Sequence, residues 1–158
     1  MDIIEHCKTI KRLPFDMNSN EWTDFPASNC YEYLLNFPND KPNQLIVGAT
    51  IGKSFQPYWT KEMFLRVLRE ELQKFGFTMD ETNFQSETPP NSMKFFIARS
   101  ICGDYHFYRL NSNGKWSHKF RFAEPTTLDF DEREIISPEE VCKTDENYGY
   151  YLLGIVKT

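Results

Sequence analysis

Seven glycines, four cysteines and three histidines are all that this 158-residue chain has of the residues most used for tight turns, thiol chemistry and proton transfer. The cysteines (Cys7, Cys30, Cys102 and Cys142) are widely spaced and form no Cys-x-x-Cys pair, so zinc-ligand spacing is missing and a disulfide framework is not expected. His6-Cys7 has no further ligand close in sequence. Neither a metal nor a cofactor is expected. Basic residues are also in deficit: a formal net charge of −5 and a pI near 5.2, with no basic stripe, argue against nucleic acid and anionic membrane surfaces as partners. No apolar run approaches the ~20 residues that span a bilayer. The N-terminus, Met1-Asp2-Ile3-Ile4-Glu5, lacks the pattern of a secretory signal. A cytoplasmic location, or export without a cleaved signal, is the expectation.

Aromatics are plentiful. At 16% of residues, within a hydrophobic share of 40%, they predict a folded core packed largely by Phe and Tyr. Length predicts one domain over residues 1–158. Ile3, Ile4, Cys7 and Ile10 suggest a short helix before Pro14. Asn29 with Glu32 three positions later forms a capping-box pattern for a helix whose buried face is Tyr31, Leu34 and Leu35. The clearest helix runs from Thr60 to about Phe75, on a stripe of Met63, Phe64, Val67, Leu68 and Leu72, with Gly76 just past its end. Residues 78–93 are polar, contain Pro89-Pro90 and read as a loop or flap.

From Lys94 the period shifts toward strands. Residues 94–101, 105–110 and 115–122 are expected to be strands, the last two joined through Asn113-Gly114, a strong hairpin signal. Ser137-Pro138-Glu139-Glu140 predicts a short helix, and Tyr148 to Val156 a final strand. Helices first and an antiparallel sheet after make an α+β domain. One stretch imitates a phosphate loop: a strand over Gln44–Val47, then Gly48-Ala49-Thr50-Ile51-Gly52-Lys53-Ser54. Only three residues separate its glycines where four are required, and Pro57 falls inside the helix that should follow. A glycine-rich connection is the simpler reading.

Two of the three histidines fall on the predicted hairpin, and Cys30 sits just after the helix cap. A thiol at a helix start can be deprotonated by a nearby imidazole base, and helix N–H groups and an imidazolium both favour the thiolate. His106 would move the proton, and His118, on the neighbouring strand, would orient it if strand register turns both to one side. Each residue taken alone is more often structural, a buried free cysteine or a satisfied strand histidine. It is their combination that points to chemistry. Cys102, at a strand end beside a turn, is the rival nucleophile.

Asn29-Cys30-Tyr31 at a helix start, His106-Phe107-Tyr108 opening a strand, and a second histidine twelve residues on resemble the NlpC-like cysteine peptidases and amidases, which have a papain-like fold. The resemblance covers roughly residues 26–36 and 94–122. It implies a papain-like core, with N-terminal helices packed on the sheet. It also implies Cys30 as nucleophile, His106 as general base and acid, and His118 as the orienting third member, acting through a thioester on a peptide or protein amide. Tyr105 stands where that family usually has glycine, and Glu32 where small residues are usual. An effector or toxin working inside another cell would reconcile a hydrolase site with the missing signal. The alternative is a non-catalytic interaction domain on the same fold.

Overall fold

Alternating apolar residues in the second half of the chain build a five-stranded antiparallel sheet: β1 Phe77–Thr82, β2 Ser92–Arg99, β3 Tyr105–Leu110, β4 Trp116–Ser117 and β5 Glu146–Ile155, in the order β1-β5-β2-β3-β4. The computed structural model describes residues 3, 22, 24–39, 44–83, 85–88, 92–99, 104–111, 113–138 and 146–155. Among the described residues, the α-helices α1 Cys30–Leu34 and α2 Lys61–Lys74 lie before the sheet in sequence. The α+β class is therefore as expected.

α2 starts where its cap predicts. Thr60 accepts a hydrogen bond from the Met63 N–H at 3.2 Å, and Gly76, with φ +92°, takes the left-handed position past the C-terminus. Its stripe of Phe64, Val67, Leu68 and Leu72 joins Tyr31, Leu34 and Leu35 of α1 against Phe95, Ile97 and Phe107 of the sheet. The opposite face carries a smaller cluster of Phe96, Ala98, Tyr108, Trp116 and Ile135. Because both faces are covered, β2 is buried along almost its whole length rather than alternating.

Three local expectations change. Residues 78–82 belong to β1 rather than to a flap; Phe77 and Met79 point into the helix-side core while Thr78 and Asp80 face out. Gln44–Val47 is not a strand, because its backbone is taken up by side chains and turns: Leu45 N–H by Glu32 at 3.2 Å and Val47 N–H by the Tyr105 hydroxyl at 3.2 Å. The strand expected over 115–122 leaves the sheet after Ser117; His118 pairs instead with Thr126, and Lys119 turns into the interior. Of the helix expected before Pro14 only Ile3 is described, and of that after Ser137 only Pro138.

Four buried cations hold the connections. Lys94 donates to the Asn83 and Ser86 carbonyls, Arg99 to Trp59 O and Pro57 O, and Arg109 to Tyr33 O at 2.7 Å while lying 3.7 Å over the Tyr33 ring. Lys119 is the fourth. Buried charge of this kind is tolerated only where its donors find acceptors.

Candidate functional site

Cys30 is the first residue of α1, and the capping box seen in the sequence is complete. Asn29 Oδ1 accepts the Glu32 N–H at 2.8 Å, and Glu32 Oε1 accepts the Asn29 N–H at 2.9 Å. Asn29 Nδ2 also donates to Leu45 O at 2.8 Å, so the helix start is tied to the incoming wall at 45–47. Glu32 is fully buried, and burial raises its carboxyl above the usual range despite these bonds.

The thiol lies against the sheet. β4 pairs with β3 only at Arg109 and Leu110, leaving the edge of β3 at its N-terminal end without a strand partner among the described residues. Cys30 Sγ fills that place, 4.0 Å from Tyr105 O and beside the Phe107 N–H. Tyr105 C=O and Phe107 N–H point to the same edge because alternate residues of a strand do. Burial pushes the thiol up to about 12, and the charge of Asp104 adds to this; the Phe107 N–H and the α1 amides pull the other way without prevailing. This direction runs against the thiolate expected from the helix start: α1 is five residues long, and its amides do not outweigh desolvation.

The two histidines meet. His106 Nε2 lies 2.8 Å from His118 Nδ1, and His118 Nε2 lies 2.8 Å from Leu128 O. A carbonyl oxygen can only accept, so His118 carries its proton on Nε2. Burial depresses both rings, His106 to about 3 with the charge of His118 as a second cause, which favours the neutral form of each. Neutral His118 then has a lone pair on Nδ1, and His106 must donate to it from Nε2. The lone pair of His106 is thereby fixed on Nδ1. No hydrogen bond to that atom is formed among the described residues. One carbonyl, Leu128 O, sets the tautomer of the whole relay.

Cys30 and His106 line one cleft of about 670 Å³, whose walls also include Ile46, Phe55, Phe120 and Phe122. Lys119 ties its sides together. Its side chain is fully buried, and its ammonium donates to Pro26 O at 2.7 Å, Ser28 O at 2.6 Å and Arg121 O at 2.7 Å. Two of these carbonyls lead into Cys30 and the third belongs to the opposite lip. Burial lowers the Lys119 pKa, and the nearby Glu32 carboxylate works against that shift.

The phosphate-loop lookalike is closed from within. Gly48 N–H and Thr50 N–H, the amides that would cradle a phosphate, donate to Glu71 at 2.9 and 3.0 Å. The Thr50 and Tyr31 hydroxyls add bonds of 2.8 and 2.6 Å to the same carboxylate. Glu71 is fully buried in the place an anion would take. Gly48 is required there on two counts, a φ of +87° and a Lys53 carbonyl oxygen 1.9 Å from where a Cβ would stand.

The structure thus bonds His106 to His118 and places Cys30 in one cleft with His106; the thiol's own hydrogen bond goes to Tyr105 O. The rival Cys102, together with His6, Cys7 and Cys142, lies outside the described residues. No cluster of three metal-ligating side chains occurs among the described residues, nor does a helix long and apolar enough to cross a membrane. Lys119 escaped sequence reading because a lysine after a strand histidine looks like a solvated charge, and nothing local announces its three acceptors. That aromatic residues around the hairpin shape a cleft is readable from their position, but the expected strand would have placed Phe120 and Phe122 on an ordinary sheet face.

No model of a known protein family matches the chain, and no solved structure matches it significantly. A match is found to insoluble matrix shell protein 1 of Ruditapes philippinarum, 29% identical over 113 residues that cover 70% of this chain and 68% of that protein.

Proposed function

We propose that the domain is a cysteine-dependent amide hydrolase with a papain-like core, in which Cys30 is the nucleophile, His106 the general base and acid, and His118 the residue that orients His106. The observation that carries this reading is the relay from Leu128 O through His118 to His106, with His106 lining the same cleft as the Cys30 thiol.

The reaction starts from a neutral pair. His106 Nδ1 takes the thiol proton as Sγ attacks the substrate carbonyl, so charge forms only as the new bond forms. The tetrahedral intermediate collapses to a thioester; the C–N bond breaks and the leaving amine takes the proton from Nδ1. Water then attacks the thioester, giving its proton to Nδ1. The C–S bond breaks, the acid is released and the thiol recovers its proton. Resting-state hydrogen bonds of such pairs tighten when substrate enters, and here the thiol must exchange Tyr105 O for His106 Nδ1.

A second reading, a non-catalytic interaction domain, is favoured by the raised thiol pKa and is compatible with a relative named for an insoluble shell matrix. One experiment separates them. A small peptidyl acyloxymethyl ketone, which needs an assisted thiol attack, is incubated with the protein at pH 7 and the adduct mapped by mass spectrometry. Labelling of Cys30 in the wild type and its loss in His106→Ala supports the hydrolase. An unlabelled Cys30, or labelling indifferent to His106, supports the interaction domain.

A further inference from the structure

Phe122 and Phe120 stand 74% and 41% exposed at the lip of the Cys30 cleft, facing a wall that carries Ile46 at 43%. Singly exposed apolar residues are common on proteins, but three on one cleft mouth form a surface. The lip that carries them is built with some force. Arg121, between the two phenylalanines, holds a left-handed φ of +52°, and the turn is closed by the Ala123 N–H to Phe120 O at 3.0 Å. Its carbonyl is gripped by the buried Lys119 ammonium, which reaches across to the segment entering Cys30. Phe120 is held edge-on by His106 at 5.8 Å and Phe130 at 5.0 Å between ring centres. The left-handed turn thus sets two aromatic rings at the cleft mouth, one of them against His106.

Charge narrows what the cleft can take. Of its three charged members, Lys119 is saturated by carbonyls, Arg121 lies 5.0 Å over the Phe120 ring, and Asp104 is a single carboxylate. No concentration of one sign awaits a polyanion or polycation. An alkyl chain would call for an enclosed apolar tunnel, whereas this cleft is open and interleaves Asn29, Gln44 and Asp104 with its apolar side chains. Polar groups for a backbone and an apolar wall for one side chain suit an extended peptide.

We infer that the substrate is a peptide with a large apolar side chain, aromatic or branched aliphatic, next to the scissile amide, packed between Phe120, Phe122 and Ile46. The inference rests on the hydrolase reading, and its test separates the two. Fluorogenic peptide amides differing only in the residue before the scissile bond (Phe, Leu, Gly or Asp) are assayed alongside labelling of Cys30 by an acetyl-sized thiol-acylating probe. The expected result is kcat/KM for Phe or Leu roughly 10- to 100-fold above Gly, with Asp lowest. Phe122→Ser, a change at a largely exposed site, brings the Phe-to-Gly ratio down by about tenfold. Labelling of Cys30 with no preference among the four peptides overturns the apolar subsite and leaves the hydrolase standing. Preferential turnover of long-chain p-nitrophenyl esters overturns the peptide assignment. Failure to label Cys30 removes both readings.

Discussion

Two parts of this molecule offer polar groups suited to a ligand, and they end differently. At residues 48–50, amides arranged as for a phosphate are consumed by the buried carboxylate of Glu71, so nothing is left for a partner from outside. Around Cys30 the polar groups are also chained together, but the chain stops at His106 Nδ1, which takes no hydrogen bond among the described residues, and His106 and Cys30 line one cleft. The first arrangement is a structural joint that fastens the 48–50 turn to α2. The second has an unfinished end. What separates a site from a joint is where the hydrogen-bond accounting stops short, not whether the local motif looks functional.

Substitutions should therefore split into those that cost chemistry and those that cost stability. The largest effect is expected from Cys30→Ala, with hydrolysis of the apolar peptide amide falling on the order of 10³-fold or more, since Cys30 is the only cysteine among the described residues and lines the cleft with His106. Retained turnover would break the comparison outright. His118→Ala is next: with the relay cut, the tautomer of His106 is no longer fixed, and kcat should drop roughly 10²-fold while denaturant titration still shows a folded protein.

At the joint the effect moves to the stability axis. Glu71→Ala strands the Tyr31 hydroxyl and the Gly48 and Thr50 amides, and should lower unfolding free energy by about 3 kcal/mol in a urea titration. If stability is unchanged, the loop is not a joint.

Smaller, but diagnostic, is the pH dependence. His106 is depressed to about 3 when folded, so between pH 6.5 and 3 the unfolded chain binds a proton that the folded one does not. Stability must then fall as pH falls through that window, this group contributing at most about 1.4 kcal/mol per pH unit. Urea midpoints at pH 7 and pH 5 should converge in His106→Gln relative to wild type. The smallest effect is a null one: isothermal titration with ATP and Mg²⁺ should give no binding heat, because Glu71 already holds the loop amides.

Local signals were legible where local physics governs. The Asn29–Glu32 box, the Thr60 cap, the apolar stripe of α2, the turn at Asn113-Gly114 and the strand Tyr105–Leu110 all follow from contacts within a few residues, and all lie where the sequence puts them. Cys30, His106 and His118 could be nominated in the same way, by residue type and by the element each would occupy. The flap expected at 78–93 and the strand expected to run through Lys119 failed for the converse reason. Whether Phe77 and Met79 face a core depends on β5 pairing beside them, where Ile155 and Leu153 lie 78 and 74 residues later in the chain.

The amino-acid order by itself determined an α+β domain, two helix starts, a hairpin and three candidate residues, because caps, turns and periodicity are short-range. Only the tertiary structure decided that Lys119 would be buried under three carbonyls, that Glu71 would fill the phosphate-like nest, and that Leu128 O would set the proton positions of both histidines. It also decided the sign of the thiol shift. Desolvation and hydrogen-bond partnership depend on what the rest of the chain brings alongside, and no local pattern in the sequence carries that information.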